Sequence, residues 1–457
     1  MPLWQAAPVE PDELLAIADR VVALAQPGEE LEAVVTWSSE TEARAHQGEV
    51  EHFVAAESAG VGVRIVRDHR QGLSWVGVLD DAGLAECVAE ARDNAGFGTP
   101  DEHAGLAHPD GVEVPELPLF DERLRSVTPE QKVAIAVELE RRLLDADPRM
   151  VGVESADYAD AVVASAIAST TGIRRAGAET SAYIGTWALA SADDDVTTGF
   201  GYSVGRTIQD LDVAAAVDEA VDRCVSMFGA TRAPSRRTTV VFDPYVCSQF
   251  LGVVAELLSG EAVLRGRSPF AGRIGEQVAA AGVTLHDDPL DLLAPTASDI
   301  DGEGLACRRV DLVAQGRLVG FLHNAYTARS SGSVSTGSAQ RPSHRSAPGV
   351  GPRSLRLAPG SGALADVVER TGDGLLVREV AGLHSGVNPT SGDLSVGVEG
   401  RIIRGGELAE PVREVTIAST IPRMLLEVAD VGDDLTTFPW ESAGVSVAIG
   451  DVVVSGT

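Results

Sequence analysis

At 457 residues the chain exceeds the roughly 250–300 residues at which a single hydrophobic core stops growing, so two or three domains are expected. Its 36 basic residues against 68 acidic ones leave a net charge of −32, which excludes a broad electrostatic footprint for nucleic acid or anionic lipid. With 4% aromatic residues and 48 glycines, small side chains must fill much of the core, and four widely separated cysteines without a CxxC pair read as reduced thiols.

The chain opens on Met1-Pro2-Leu3-Trp4 rather than on a basic segment followed by an apolar one, and no apolar run approaches the ~18 residues of a membrane span. A cytoplasmic location is expected. Apolar residues Leu14, Leu15, Ala18, Val21 and Val22 recur at helical spacing and predict a helix over 10–25, stopped by Gln26-Pro27-Gly28. Strand-like runs follow at 33–37, 50–55, 60–67 and 72–78, and Asp80 or Asp81 can cap a helix reaching Ala95. The Gly, Pro and Asp-rich stretch 96–118 reads as a linker.

The same order then recurs. Thr128-Pro129-Glu130-Gln131 supplies a capping threonine, a first-turn proline and the glutamine of a capping box, so a helix is expected up to Asp147-Pro148. Strand-like runs cover 151–158, 161–170, 173–189 and 198–205, and a helix over 212–227 closes the unit. From Arg232 onward β-like runs dominate, at 238–242, 283–285, 310–313, 354–357, 374–380, 392–398, 412–417 and 445–454. The exception is a helix over 245–263 with Phe250, Leu251, Val254, Leu257 and Leu258 as its apolar stripe, while the Ser, Gly and Pro-rich stretch 330–351 reads as a mobile loop. The expected fold class is α+β: two repeated helix and antiparallel-sheet units over 1–112 and 113–231, then a mostly antiparallel β domain over 232–457.

Most chemistry is excluded by what the chain lacks. Lys132 is the only lysine and no glycine precedes it, so there is no phosphate loop. Gly60-Val61-Gly62-Val63 lacks the third glycine of a dinucleotide fingerprint, and Gly332-Ser333-Val334-Ser335-Thr336-Gly337 misses the serine-hydrolase elbow spacing by one residue. His103 and His108 stand close enough to suggest a metal pair, but they lie in the linker, with Ala104 rather than the glutamate of a peptidase motif directly after the first, and read as surface residues. Asp193-Asp194-Asp195 and Asp287-Asp288 do not match a calcium loop.

An ordered set of short motifs carries more. Ser58-Ala59-Gly60-Val61-Gly62-Val63-Arg64-Ile65 comes first, then Ser259-Gly260-Glu261-Ala262-Val263-Leu264-Arg265 and Gly272-Arg273-Ile274-Gly275-Glu276-Gln277. Asn388-Pro389-Thr390-Ser391-Gly392-Asp393 and Gly432-Asp433-Asp434 follow towards the C-terminus. Together they resemble the TldD/PmbA family over essentially the whole chain. The resemblance implies a two-subunit zinc peptidase whose catalytic chain carries HExxxH on a helix and a cysteine near its C-terminus, with the glutamate activating a zinc-bound water.

On the best-matching positions this chain reads Gly260, Glu261 and Arg265, and beyond Asp434 it offers Phe438-Pro439-Trp440-Glu441-Ser442 with no cysteine. Glycine has no ligand atom, and arginine is a fixed cation that would repel a metal; it is expected to pair with Glu261 instead. The expectation is a TldE-type, non-catalytic subunit with no catalytic or metal-binding residue of its own. Zinc is expected only in an HExxxH-bearing, TldD-like partner, in a heterodimer acting on linear, unfolded peptides. Two alternatives stay open: a homodimeric peptide-binding scaffold with no catalytic partner, and an enzyme of unrecognised chemistry dependent on Glu261.

Overall fold

The computed structural model describes residues 10–456, so the Met1–Trp4 start lies outside the described residues. The first unit runs α1 (Pro11–Val22), β1 (Glu30–His46), β2 (Glu49–Arg67), β3 (Arg70–Val76) and α2 (Asp81–Phe97). The second repeats it as α3 (Pro129–Ala146), β4 (Met150–Ser169), β5 (Arg174–Ala192), β6 (Asp195–Gly205) and α4 (Val213–Val225). The capping box at α3 forms as its residues require: Thr128 accepts from the Gln131 amide, and the Gln131 side chain accepts from Thr128.

All six strands join one antiparallel sheet in the order β3-β2-β1-β4-β5-β6. The two first strands meet at its centre, in register from Glu32↔Ser169 to Ala45↔Ala156. Two expectations are corrected here. β2 and β4 are each one continuous strand, because the polar or small residues between the apolar runs still pair, as Ser38↔Ser58 and Thr41↔Asp160 do. The β1–β2 hairpin turns at Gln47 and Gly48, both at positive φ (56° and 78°), a turn that glycine makes without strain and that matches the strand twist.

Alternation along the strands sorts the two faces. Leu31, Ala33, Val35 and Trp37 of β1, with Ala164, Ala166 and Ala168 of β4, pack under α1 and α2. Farther along the same face Ala43, Ala45, Ala156 and Tyr158 pack against Leu139 and Leu143 of α3 and Ala216 and Ala220 of α4. On the opposite face Val34 and Ile167 contact Leu305 and Ala325, so that face meets the C-terminal part of the chain.

That part opens with β7 (Arg236–Phe242), α5 (Pro244–Leu257) and α6 (Gly260–Leu264). A small sheet collects β8 (Leu285–Asp287), β9 (Val310–Ala314) and β10 (Arg317–Leu318), followed after α7 (Ala325–Ser331) by a short pair, β11 (Ala339–Gln340) and β12 (Gly349–Val350). β13 (Leu355–Leu357) completes the small sheet beside β8, and α8 (Leu364–Thr371) leads to β14 (Gly374–Ala381), the single turn α9 (Leu383–Gly386), β15 (Asp393–Arg404) and β16 (Glu407–Thr420). Then come α10 (Ile421–Leu426), β17 (Val428–Val431) and β18 (Val447–Ser455). The order β16-β15-β14-β7-β18-β17, with an added β16–β18 pairing, closes five of these strands into a barrel-like ring that is antiparallel except at β14–β7. Phe250, Leu251 and Val254 of α5 share one core with Val240, Phe242, Leu375 and Val377 of the ring.

The helix expected over 245–263 is two helices. The chain breaks at Leu258-Ser259, where Ser259 caps α6 through the Ala262 amide and the flanking backbone is claimed by Leu322: Gly260 N donates to Leu322 O at 2.7 Å and Leu322 N to Leu258 O at 3.0 Å. The apolar periodicity continues across the break and conceals it. The 330–351 stretch is also not a free loop. Arg341 reaches buried Glu32 at 2.5 Å, His344 Nδ1 meets Thr36 Oγ1 at 2.7 Å, and Arg345 lies 4.2 Å over the Trp75 ring. Its anchors are polar, so a count of apolar residues misses them.

Candidate functional site

α5 is built to face two ways. Asp243 caps it, accepting from the Val246 amide, and Pro244 fits the first turn. Cys247, Phe250, Leu251 and Val254 point into the core, where burial pushes the Cys247 thiol up to about 12. The complementary positions Tyr245, Ser248, Gln249, Gly252, Val253 and Glu256 line a cleft of 980 Å³. Its other walls are Gln340–Pro342, Val350–Arg353, the Leu383, Val387 and Pro389 stretch, and Trp440–Ser442.

The C-terminal wall is clamped to α5. Trp440 Nε1 donates to Ser248 Oγ at 3.2 Å, Ser442 Oγ donates to Ser248 O at 2.8 Å, and Phe438 stacks on Trp440 at 5.0 Å. The close approach needs Gly444, where a Cβ would lie 1.7 Å from Pro244 O. Beneath the Tyr245 end, Arg223 sits 4.4 Å from the Phe200 ring and 4.9 Å from that of Tyr245 while pairing with buried Asp243 at 3.1 Å. Burial raises the Asp243 carboxyl, and Arg223 and Arg378 oppose that rise. Phe200, Tyr245, Phe438 and Trp440 thus gather at one end of the cleft in mutual ring contact.

None of the degenerate motif positions lines this cleft. At Gly260 a Cβ would fall 2.3 Å from Nδ1 of His323, whose buried ring occupies the space a side chain there would need. Glu261 pairs with Arg265 at 2.5 Å, with the arginine 60% exposed, so the pair is a surface one. Among the described residues the cleft lining holds two carboxylates, Glu256 and Glu441, and no histidine or cysteine. Among the described residues no group of three or more His, Cys, Asp or Glu could hold a metal. Zinc needs three or four converging N, S or O ligands, and these residues do not fit it.

The remaining motif residues are brought to separate places, where each fixes the architecture. Gly60 and Gly62 let the 330–351 segment onto the sheet, since a Cβ would lie 2.3 Å from His344 Nε2 at the first and 1.6 Å from His344 O at the second. Arg64, 4% exposed, makes two 3.1 Å hydrogen bonds to Glu32 and lies 3.5 Å from Glu303, joining the N-terminal sheet to the C-terminal part. Gly272 and Gly275 hold positive φ in the turn where Glu276 pairs with Arg273 and Gln277 donates to Ala279 O. The Asn388 side chain accepts from the Thr390 and Ser391 amides, Gly392 closes that turn at φ 75°, and Asp393 accepts from the Ser391 hydroxyl. Gly432 lets Asp434 approach and grip Ser446 through both its amide and its hydroxyl. His103 and His108 each lie 3.8 Å from a glutamate, Glu102 and Glu30 respectively.

Comparison with known proteins covers nearly the whole chain. Residues 31–95 match PmbA/TldA metallopeptidase domain 1, 122–228 the central domain and 235–457 the C-terminal domain. The metalloprotease PmbA of Escherichia coli O157:H7 is 25% identical over 393 residues, covering 85% of this chain and 84% of its own. A Thermotoga maritima structure described as a modulator of a DNA gyrase superposes with a TM-score of 0.88 at 25% identity, covering 96% of this chain and 99% of that one. TldE from Thermococcus kodakarensis superposes with a TM-score of 0.87 at 23% identity, covering 97% and 99%.

Proposed function

Because the chain belongs to the PmbA/TldD metallopeptidase family, we propose that it is the non-catalytic, TldE-type subunit of a heteromeric zinc peptidase. In this reading it presents linear, unfolded peptides to an HExxxH-bearing, TldD-like partner in the cytoplasm. The observation that carries the reading is the cleft itself. It is large enough for several residues of an extended peptide, and it lies between a helix and the C-terminal segment. The partner would hold the zinc and activate water on it; this chain's own residues bind and orient.

One further feature supports the reading. β3 pairs with β2 only from Val61 to Arg67, so among the described residues β2 has no strand on its outer side from Glu49 to Gly60. Such an edge offers main-chain hydrogen bonds to an extended segment with little demand on its sequence. No helix among the described residues is long and apolar enough to cross a membrane.

The test is purification of this chain alone and with an HExxxH-bearing homologue from the same organism. The pair is expected to form a stable complex that carries zinc and cuts linear peptides, while the lone chain carries none. Stoichiometric zinc in the lone chain, or chelator-resistant hydrolysis lost on Glu261→Gln, would overturn the proposal.

A further inference from the structure

Beside the cleft lies a second, smaller cavity of 370 Å³, lined by residues of both parts of the chain. Strands β4 to β6 contribute Val163, Tyr183 and Val204, and Arg206 follows β6; the C-terminal part contributes Arg353 and Glu441, which also line the cleft, so the two spaces adjoin. In a chain with 68 acidic residues to 36 basic ones, most partly buried arginines find a carboxylate. Arg206 and Arg353 do not: among the described residues neither makes an ion pair. Arg206 donates through Nη1 to Leu119 O and Thr180 O, but its Nη2 is buried without an acceptor, and so is Arg353 Nε.

An arginine cannot shed its proton to escape this cost, so each guanidinium keeps its full charge at the cavity wall and favours any anion that enters the cavity. The carboxylates in the lining, Glu179 and Glu441, are exposed and screened by water, whereas the arginine donors are not. Burial also pulls the Arg206 guanidinium below its ordinary value, the same desolvation seen from the proton's side.

We infer that the cavity between Arg206 and Arg353 is a carboxylate subsite, which anchors a linear peptide by a chain-terminal or acidic side-chain carboxylate while neighbouring residues lie along the cleft against Tyr245 and Trp440. The inference rests on the peptide-binding reading above and adds the group by which the peptide is held. Charge-assisted hydrogen bonds of this kind change affinity by about tenfold or more.

The experiment measures fluorescence anisotropy of N-terminally labelled, unstructured decapeptides on the full chain. The first has a free C-terminal acid, the second a C-terminal amide, and the third is the amide with one internal glutamate. The acid is expected to bind at least about tenfold more tightly than the plain amide, and the gap is expected to close in Arg353→Gln and in Arg206→Gln. Recovery by the internal glutamate would assign the carboxylate to a side chain, and its failure to the chain end. Equal binding of all three peptides to the unaltered chain overturns the subsite, whatever the variants do. N-acetyl-leucine and its amide, compared by saturation-transfer NMR, separate the two readings. If no peptide binds but the acid alone contacts the unaltered chain and not Arg353→Gln, the subsite stands and the peptide reading falls; if neither probe distinguishes acid from amide, the subsite falls.

Discussion

Restoring a side chain at Gly260 tests whether this position is a vacated ligand site or an occupied packing site. A Cβ there would lie 2.3 Å from Nδ1 and 2.6 Å from Cε1 of His323, and 3.0 Å from Leu322 O, against the 3.4–4 Å of ordinary contact. The ring would have to withdraw by more than about 1 Å, in a site where overpacking costs about 1–3 kcal/mol. It is 7% exposed, its Nδ1 is bonded to Thr327 Oγ1 at 3.1 Å, and its own backbone amide is held by Thr336 at 2.8 Å. Losing the Thr327 bond adds about 1 kcal/mol, so Gly260→Ala should destabilise the chain by about 2–4 kcal/mol. Urea unfolding of Gly260→Ala, His323→Ala and the double variant measures this. The double variant should be less destabilised than the sum of the singles by at least about 1 kcal/mol, because the new methyl enters the space the ring leaves. Gly260→His should fare no better than Gly260→Ala and should not gain stoichiometric zinc. A change within about 0.5 kcal/mol for Gly260→Ala, or strict additivity of the pair, would refute the packing argument.

The buried network around Arg64 gives a second expectation. Arg64→Met leaves Glu32 with Arg341 alone and Glu303 with only the Ala325 amide, and breaking such a pair should cost about 3–5 kcal/mol in urea unfolding; a loss under about 1 kcal/mol would show the network to be dispensable. A third concerns Asp287, 1% exposed, whose carboxyl burial raises to about 6 against the opposing Ser354 and Arg353 amides. The folded chain therefore holds a proton that the unfolded one releases near 3.8, so this group's contribution to stability is lost as pH rises from about 4 to 6. Asp287→Asn can keep both amide bonds through one oxygen and should flatten that part of the stability-pH curve, raising stability at pH 8 by about 1–3 kcal/mol; an unchanged slope would contradict it.

How much of this was legible in the sequence depended on the kind of signal. The repeated helix, strands, helix order and the β-rich C-terminal part followed from local periodicity and caps, as at Thr128-Pro129-Glu130-Gln131, because those signals act within a few residues. The family resemblance was legible too, since its glycines sit where backbones or side chains approach too closely for a Cβ, as Gly62 does under His344. Continuity of β2 and β4 was not legible, because it is set by pairing with β1 rather than by the residues between the apolar runs. The anchoring of 330–351 was not legible either, because Arg341 and His344 find Glu32 and Thr36 some three hundred residues away.

The cleft shows where local reading stops. The apolar stripe of α5 was visible, and its complement at Tyr245, Gln249, Val253 and Glu256 is simply the other side of the same helix, so that wall was available to periodicity. The opposing walls come from 340–342, 350–353, 383–389 and 440–442, stretches far apart in sequence, carried by the β11–β12 pair, by segments between ring strands and by the connection to β18. The degenerate zinc-motif positions and the cleft positions therefore separate in this chain, although Pro389 of the Asn388–Asp393 motif lines the cleft. Glu261 lies in a family motif yet points to solvent beside Arg265, whereas Arg353 lies in none and lines both cavities. If the chain acts by holding peptides, substitutions at Arg353, Tyr245 and Trp440 should weaken that function more than substitution at Glu261, the reverse of the order the motif alone would suggest.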